Sequence, residues 1–204
     1  MRNYSKPAVL LVVDFQNDFC PGGALGVKEA DKLVPKINKY IGLFEEHDLP
    51  VLLTRDWHPA RTKHFKAYGG IWPRHCVMRT KGARFHPGLQ IPSRKIILSK
   101  GMDPQADGYS AFDAEDKNGL PLLLLLEKLK VENVFLCGLA TDYCVKSSVL
   151  DKRSGEFRIF VLEDAVKGVN LKARDSMLAI NEMKKKGAEM VDLKRVRKIL
   201  KEIL

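Results

Sequence analysis

The chain has 204 residues, of which 45% are apolar and 29% are charged, and its formal net charge is +10 at pH 7. This length supports one sizeable hydrophobic core, so we expect one domain that spans residues 1–204. The sequence has neither a long apolar run of membrane-spanning length nor, in residues 1–7, the apolar stretch of a signal peptide. We therefore expect a soluble, cytoplasmic protein with no membrane partner.

The surplus of positive charge lies mostly in residues 184–186 and 194–201, at spacings typical of exposed helix faces. Neither aromatic residues interleaved with the lysines nor a known nucleic-acid motif accompanies them. We interpret these lysines as a solvated surface and expect no nucleic-acid partner.

The cysteines Cys20, Cys76, Cys137 and Cys144 are widely spaced and form no CxxC pair. This spacing is unlike a disulfide framework or a structural zinc site, and it predicts reduced thiols.

Short apolar runs alternate with helical patterns along the chain. The predicted strands are Ala8–Val13, Val51–Thr54, Ile96–Ser99, Val134–Cys137, Arg158–Leu162 and Glu189–Val191. The predicted helices are Ala30–Glu46, Leu120–Leu129, Asp142–Lys152, Lys172–Lys186 and Leu193–Leu204. This alternation predicts an α/β fold with a parallel sheet, right-handed crossovers and helices on both faces.

Reactive side chains occur where three of these strands end. Asp14 follows the first strand, Lys100 follows the third, and Cys144 follows the fourth. The carboxyl ends of parallel strands converge on one crevice, where an Asp can take a thiol proton and a Lys can stabilise the thiolate. Taken singly, Asp14 could instead cap a turn, Lys100 could be a surface lysine, and Cys144 could be a buried apolar cysteine.

The surroundings of Cys144 strengthen the catalytic interpretation. If the strand ends at Gly138 and Thr141 caps the following helix, Cys144 lies in the first helical turn. Free N–H groups and the helix dipole favour an anion there, so we expect a thiolate and an oxyanion-binding position.

The long segment Trp57–Arg94 and the strand end before it contain a second cluster of reactive residues. Asp56, His58, His64 and His75 together offer a carboxylate oxygen and several imidazoles, which suits a metal site with an open position. The predicted cofactor is one divalent ion, zinc before iron or manganese. The alternative is a set of histidines satisfied by ordinary hydrogen bonds.

Several ordered motifs carry a resemblance to a known family. They are Asp14-Phe15-Gln16-Asn17-Asp18-Phe19-Cys20, Asp56-Trp57-His58-Pro59, Trp72-Pro73-Arg74-His75-Cys76, Lys100-Gly101, Tyr109-Ser110-Ala111-Phe112 and Gly138-Leu139-Ala140-Thr141-Asp142-Tyr143-Cys144-Val145. Together they resemble the nicotinamidases, which belong to the isochorismatase-like cysteine hydrolases. The resemblance extends from Ala8 to about Val191.

The resemblance implies a six-stranded sheet in the order 3-2-1-4-5-6 and hydrolysis of nicotinamide to nicotinate and ammonia. It implies a catalytic triad of Asp14, Lys100 and Cys144, and an oxyanion hole formed by the N–H groups of Ala140 and Cys144 behind a cis peptide. It also implies a pocket for the substrate ring, formed by Phe19, Trp72 and Tyr109. The implied metal ligands are Asp56, His58 and His75, with His64 as a further ligand. Arg79, Arg84 and the loop Gly101–Asp107 depart from the family pattern and bear on pocket shape and substrate range.

Two alternatives to a nicotinamidase remain open at the level of sequence. One is another hydrolase on the same scaffold, acting on an isochorismate-like ether or a carbamoyl amide. The other is a non-enzymatic metal or redox sensor that uses Cys144 and the histidines.

Overall fold

The computed structural model describes residues 7–151 and 157–204, and these residues form a parallel sheet of six strands. The strands are β1 (Ala8–Val13), β2 (Val51–Asp56), β3 (Ile96–Lys100), β4 (Asn133–Leu139), β5 (Arg158–Lys167) and β6 (Glu189–Val191). Their order in the sheet is β3-β2-β1-β4-β5-β6, which confirms the predicted topology.

Strand β1 lies in the middle of the sheet and pairs in parallel with both β2 and β4. Because successive side chains of a strand point to opposite faces, Leu10 and Val12 pack in one hydrophobic core and Leu11 and Val13 in the other. All four are buried, as expected of a strand whose two faces are both covered.

The helices divide between these two cores. They are α1 (Val34–Glu46), α2 (Leu122–Lys128), α3 (Lys146–Leu150), α4 (Asp175–Lys185) and α5 (Leu193–Ile203). Side chains of α1 and α5 join the first core, and side chains of α2, α3 and α4 join the second. The predicted covering of both faces is therefore confirmed. The C-terminal residue of the helix predicted over Asp142–Lys152 lies outside the described residues.

The chain after β4 differs from the prediction. Thr141 does not cap the helix: Ala140 is the N-cap residue, with an extended backbone and no side-chain cap hydrogen bond. Residues Thr141–Val145 form one π-helical turn that leads into α3, and the Leu139–Ala140 peptide is cis, as the resemblance implies.

Strand β5 is longer than the prediction, because it continues beyond Leu162 to Lys167. The sequence there includes Glu163 and Asp164, which interrupt the apolar run that marks a buried strand. Its pairing with β4 shifts register between Leu136 and Gly138, so the strand accommodates these polar residues at an irregularity.

The structure bears on two further predictions. All four cysteines are free, which confirms the expectation of reduced thiols. Among the described residues, no helix is both long and apolar enough to cross a bilayer.

Candidate active site

Four adjacent strands each place a reactive side chain at the same edge of the sheet. Asp14 directly follows β1, while Asp56 and Lys100 are the last residues of β2 and β3. Cys144 lies in the π-helical turn after β4. All four side chains are buried, so the sheet topology brings together the residues predicted from the ends of the strands.

Lys100 is the centre of this cluster. Its Nζ atom lies 2.8 Å from Asp14 Oδ2 and 3.4 Å from Cys144 Sγ, and it also donates to an oxygen of Asp56. The Gly108 carbonyl accepts a further hydrogen bond at 3.0 Å. Burial alone would lower the pKa of Lys100, but the carboxylates of Asp14 and Asp56 outweigh burial and raise it well above its usual value. Lys100 is therefore a buried cation.

Burial changes the protonation of the other two members of the predicted triad. It raises the pKa of Asp14, against the opposing effect of Lys100. It also raises the pKa of the Cys144 thiol well above its usual value, although Lys100 lowers it. The expectation of a resting thiolate is therefore wrong, because complete burial and two nearby carboxylates outweigh the cation and the helix terminus. The thiol is protonated at rest, beside a carboxylate that is more basic than an ordinary aspartate.

The backbone around Cys144 is fixed by the turn that carries it. The Ala140 carbonyl accepts hydrogen bonds from the N–H groups of Tyr143 and Val145, each at 3.1 Å. Ala140 and Cys144 also line the same cavity. The assignment of their N–H groups to an oxyanion hole stays a prediction.

A second cluster lies next to the first and shares Asp56 with it. One ring nitrogen from each of His58, His64 and His75 lies within 4.8 Å of the others, and all three residues are buried. Asp56 Oδ2 lies 3.6 Å from His58 Nε2 and 4.0 Å from His75 Nε2. Ligands about 2.1 Å from one metal ion are spaced by roughly 3 to 4 Å, so these separations fit a common ion.

The hydrogen bonds of the histidines also fit a metal site. The Nδ1 atoms of His58 and His75 lie 2.9 Å and 2.7 Å from backbone carbonyl oxygens, which leaves each Nε2 free to bind. His58 Nε2 is buried and has no hydrogen-bond partner among the described residues. Burial lowers the pKa of His75 to about 4, so its imidazole is neutral at pH 7. A buried nitrogen without a hydrogen-bond partner, close to the neutral imidazole of His75 and to a carboxylate, suits zinc, iron or manganese.

An aromatic cavity connects the two clusters. Phe19, Trp72 and Tyr109 all line it, as the resemblance implies, together with Cys144 and the metal-site residues Asp56, His64 and His75. The Trp72 Nε1–H group donates a hydrogen bond of 2.7 Å to the Tyr109 hydroxyl, which fixes the two rings relative to each other. The thiol, residues of the histidine cluster and the aromatic rings therefore line one cavity.

The comparisons with known proteins agree with this geometry. The family model described as the isochorismatase domain matches residues 8–195. The chain belongs to the isochorismatase family. A nicotinamidase of Escherichia coli is 36% identical over 203 residues, covering 92% of this chain and 95% of the relative. The resemblance to nicotinamidases is thus confirmed.

Solved structures of the family match as well. A pyrazinamidase of Pyrococcus horikoshii in complex with zinc is 42% identical, with a TM-score of 0.84 over 92% of this chain and 99% of that one. A protein of L. infantum in complex with nicotinate is 34% identical, with a TM-score of 0.80 over 93% of this chain and 94% of that one.

This member of the isochorismatase family also has cavity residues that the sequence did not single out, namely Leu25, Tyr143 and Val169. Tyr143 precedes the nucleophile, so its position in the motif was an available signal. No signal in the sequence marked Val169. It reaches the cavity because the Asp142 carboxylate accepts hydrogen bonds from the N–H groups of Val169 and Asn170 at 2.9 and 2.7 Å.

Arg79, Arg84 and the loop Gly101–Asp107, which depart from the family pattern, differ in their relation to the site. Arg79 and Arg84 are exposed and do not line the cavity. The loop Gly101–Asp107, in contrast, contacts the histidine cluster through Gly101 and Asp107.

Proposed function

We propose that this protein is a metal-dependent nicotinamidase, which hydrolyses nicotinamide to nicotinate and ammonia through a thioester on Cys144. The observation that carries the proposal is that Cys144 lines the same aromatic cavity as His64 and His75 of the histidine cluster. The nicotinamidase relative and the related structure in complex with nicotinate support this substrate.

The residues that line the cavity suit the chemical groups of nicotinamide. Nicotinamide is a flat pyridine ring with a carboxamide two positions from the ring nitrogen. Phe19, Trp72 and Tyr109 offer apolar surfaces to the ring, and Cys144, which lines the same cavity, would attack the carboxamide carbon. When bound by Asp56, His58, His64 and His75, a divalent metal supplies an electrophile for the pyridine nitrogen. Such fixed orientation removes much of the entropic barrier to attack.

The first half of the reaction forms the thioester. Asp14 takes the proton from Cys144 as the sulfur attacks the carboxamide carbon, and the oxyanion is held by the N–H groups of Ala140 and Cys144. The positive charge of Lys100 stabilises the developing thiolate. The C–N bond then breaks, and Asp14 returns the proton to the leaving group, which departs as ammonia.

The second half restores the enzyme. Asp14 takes a proton from water, and the water oxygen attacks the thioester carbon. The C–S bond breaks, Asp14 returns its proton to the sulfur of Cys144, and the acid proton passes to solvent as nicotinate leaves with the water oxygen in its carboxylate. Asp14 is suited to both steps because burial raises its pKa.

The test compares nicotinamide with benzamide, which has the same carboxamide and ring shape but no ring nitrogen. We expect ammonia release from nicotinamide by the zinc-loaded protein, and turnover of benzamide lower by orders of magnitude, because a site built around a polar anchor rejects an analogue without it. His58→Ala should reduce nicotinamide turnover sharply and narrow this difference. Equal turnover of the two amides would show that the metal does not anchor the substrate.

The same assay addresses the alternatives. A metal or redox sensor would release no ammonia and would have no use for the aromatic walls beside Cys144. A hydrolase for carbamoyl amides or isochorismate-like ethers would act on those compounds in preference to nicotinamide.

A further inference from the structure

The three histidines of the proposed metal site are held in two different ways. The Nδ1 atoms of His58 and His75 each face a backbone carbonyl, whereas His64 Nδ1 lies 2.8 Å from an oxygen of Asp107. Among the described residues of this cluster, His64 is thus the histidine whose Nδ1 atom faces a side chain and not a backbone group. The Asp107 side chain is 55% exposed, while that of His64 is 2% exposed.

The loop that carries Asp107 is closed at its base. Gly101 and Gly108 both have positive φ, and they pack so closely that a Cβ atom on Gly108 would lie 2.6 Å from the Gly101 nitrogen. Residues other than glycine are strained at such φ values, and here a side chain would also collide with backbone. The two ends of the loop are thus held together at the edge of the site.

The middle of the loop is docked on the segment that contains His64. The Pro104 carbonyl accepts hydrogen bonds from the Lys63 N–H group at 3.0 Å and from the Thr62 hydroxyl at 3.2 Å. These contacts lie one and two residues before His64, so the loop and the histidine are positioned against each other. Asp107 is thereby held beside the His64 ring.

We propose that Asp107 is a positioning residue of the metal site, whose carboxylate holds His64 so that its Nε2 atom faces the ion. This inference rests on the metal site of the proposed function. An ionised carboxylate only accepts hydrogen bonds, so His64 Nδ1 carries the proton and Nε2 keeps its lone pair. Asp107 itself does not bind the ion, because it contacts the nitrogen on the opposite side of the ring.

A carboxylate behind a ligating imidazole does more than fix the ring's direction. It also increases the basicity of the nitrogen that binds the metal, and loss of such a partner typically costs about 10- to 100-fold in metal affinity. Asp107→Ala removes both effects. Asp107→Asn keeps an acceptor oxygen but removes the charge, so its loss should be smaller than that of Asp107→Ala.

The test measures zinc release from the zinc-loaded protein into a competing chelator. Asp107→Ala should lower the zinc affinity about 10- to 100-fold, so that it releases zinc to the chelator faster than the wild type. Asp103→Asn is the matched control, because it removes a charge from the same loop while its side-chain oxygen can still accept the Gln105 N–H group. That control should release zinc at nearly the wild-type rate.

A second comparison asks whether Asp107 acts through His64. In a His64→Ala background, adding Asp107→Ala should change zinc release by less than about twofold, since non-additivity marks residues in contact. The urea midpoint of the zinc-free protein should be the same for Asp107→Ala and the wild type, which separates metal binding from folding.

Three outcomes would overturn the inference. Zinc release from Asp107→Ala at the wild-type rate would refute the role of Asp107 while leaving the metal site intact. An equal effect of Asp107→Ala with and without His64 would show that the carboxylate acts only as a general charge. A wild-type protein that binds no zinc would refute the metal site of the proposed function, and this inference with it.

Discussion

Gln16 connects the two strand ends that carry Asp14, the proposed catalytic base, and Asp56, a proposed metal ligand. It lies two residues after Asp14, and its fully buried side chain forms three hydrogen bonds to backbone groups. The amide nitrogen donates to the carbonyls of Asp56 and Ala83 at 2.8 and 3.0 Å. The amide oxygen accepts the Asp56 N–H group at 2.8 Å. Gln16 therefore holds the backbone of Asp56 through both its N–H group and its carbonyl group.

The substitution Gln16→Ala leaves these three buried backbone groups without their partner. An unsatisfied buried polar group costs about 1 to 3 kcal/mol, so for three such groups the free energy of unfolding should fall by about 3 to 9 kcal/mol. This is a large share of the roughly 5 to 15 kcal/mol that stabilises a typical domain. Because the freed backbone belongs to Asp56, zinc should also be released faster.

Urea unfolding of the zinc-free protein, followed by circular dichroism, measures the first effect, and chelator competition measures the second. Asn17→Ala is the matched control in the same loop, since Asn17 makes one exposed side-chain hydrogen bond, to the Lys81 carbonyl. That control should lose less than about 1 kcal/mol. A similar small loss for Gln16→Ala, with unchanged zinc release, would refute the reasoning.

Two further predictions concern the nucleophile and a histidine. Cys144→Ala should abolish ammonia release while leaving zinc content and the urea midpoint unchanged, and appreciable remaining turnover would exclude Cys144 as the nucleophile. Burial holds the pKa of His75 at about 4, below the 6.5 of an unfolded histidine, so protons bind the unfolded chain more readily. The zinc-free protein should therefore lose up to about 3 kcal/mol from this residue as the pH falls from 6.5 to 4. Urea unfolding across this range should show a weaker pH dependence for His75→Gln, and an identical dependence would contradict the assignment.

The strands that were predicted well are those whose apolar run is uninterrupted. Strand β1 has six consecutive buried apolar residues, so its sequence alone indicates a central position. In β5, by contrast, Glu163 and Asp164 follow the apolar run, and the strand continues only because β4 pairs with it through a shift in register. The local sequence pattern carries no information about pairing with another strand, so it does not predict the extension of β5 to Lys167.

The site residues were predicted where they lie at strand ends or in dense motifs. Asp14, Lys100 and Cys144 needed only the rule that parallel strands converge at one edge. Asp107 and Val169 needed contacts across the fold, with His64 and Asp142 respectively. Nothing in the residues adjacent to either position marks such a contact, and only the folded loops reveal it.

The error over the resting state of Cys144 has the same origin. A helix N-terminus and a nearby lysine are local features, and both favour a thiolate. Burial of the thiol and the presence of Asp56 depend on the whole fold, and together with Asp14 they raise its pKa. In the proposed mechanism, Asp14 must therefore remove the proton from the thiol as well as protonate the leaving group.

Lys100 links the Cys144 site and the proposed metal site through its charge. Its Nζ atom contacts Asp14, Cys144 and the Asp56 carboxylate. Burial alone would raise the pKa of Asp56, but the adjacent Lys100 cation lowers it below its usual value, so this carboxylate is ionised. An ionised Asp56 can bind a metal ion through Oδ2 while its other oxygen accepts from Lys100. Loss of the Lys100 cation would therefore disturb the nucleophile and the metal site at once, because a buried carboxylate deprived of its partner tends to take up a proton.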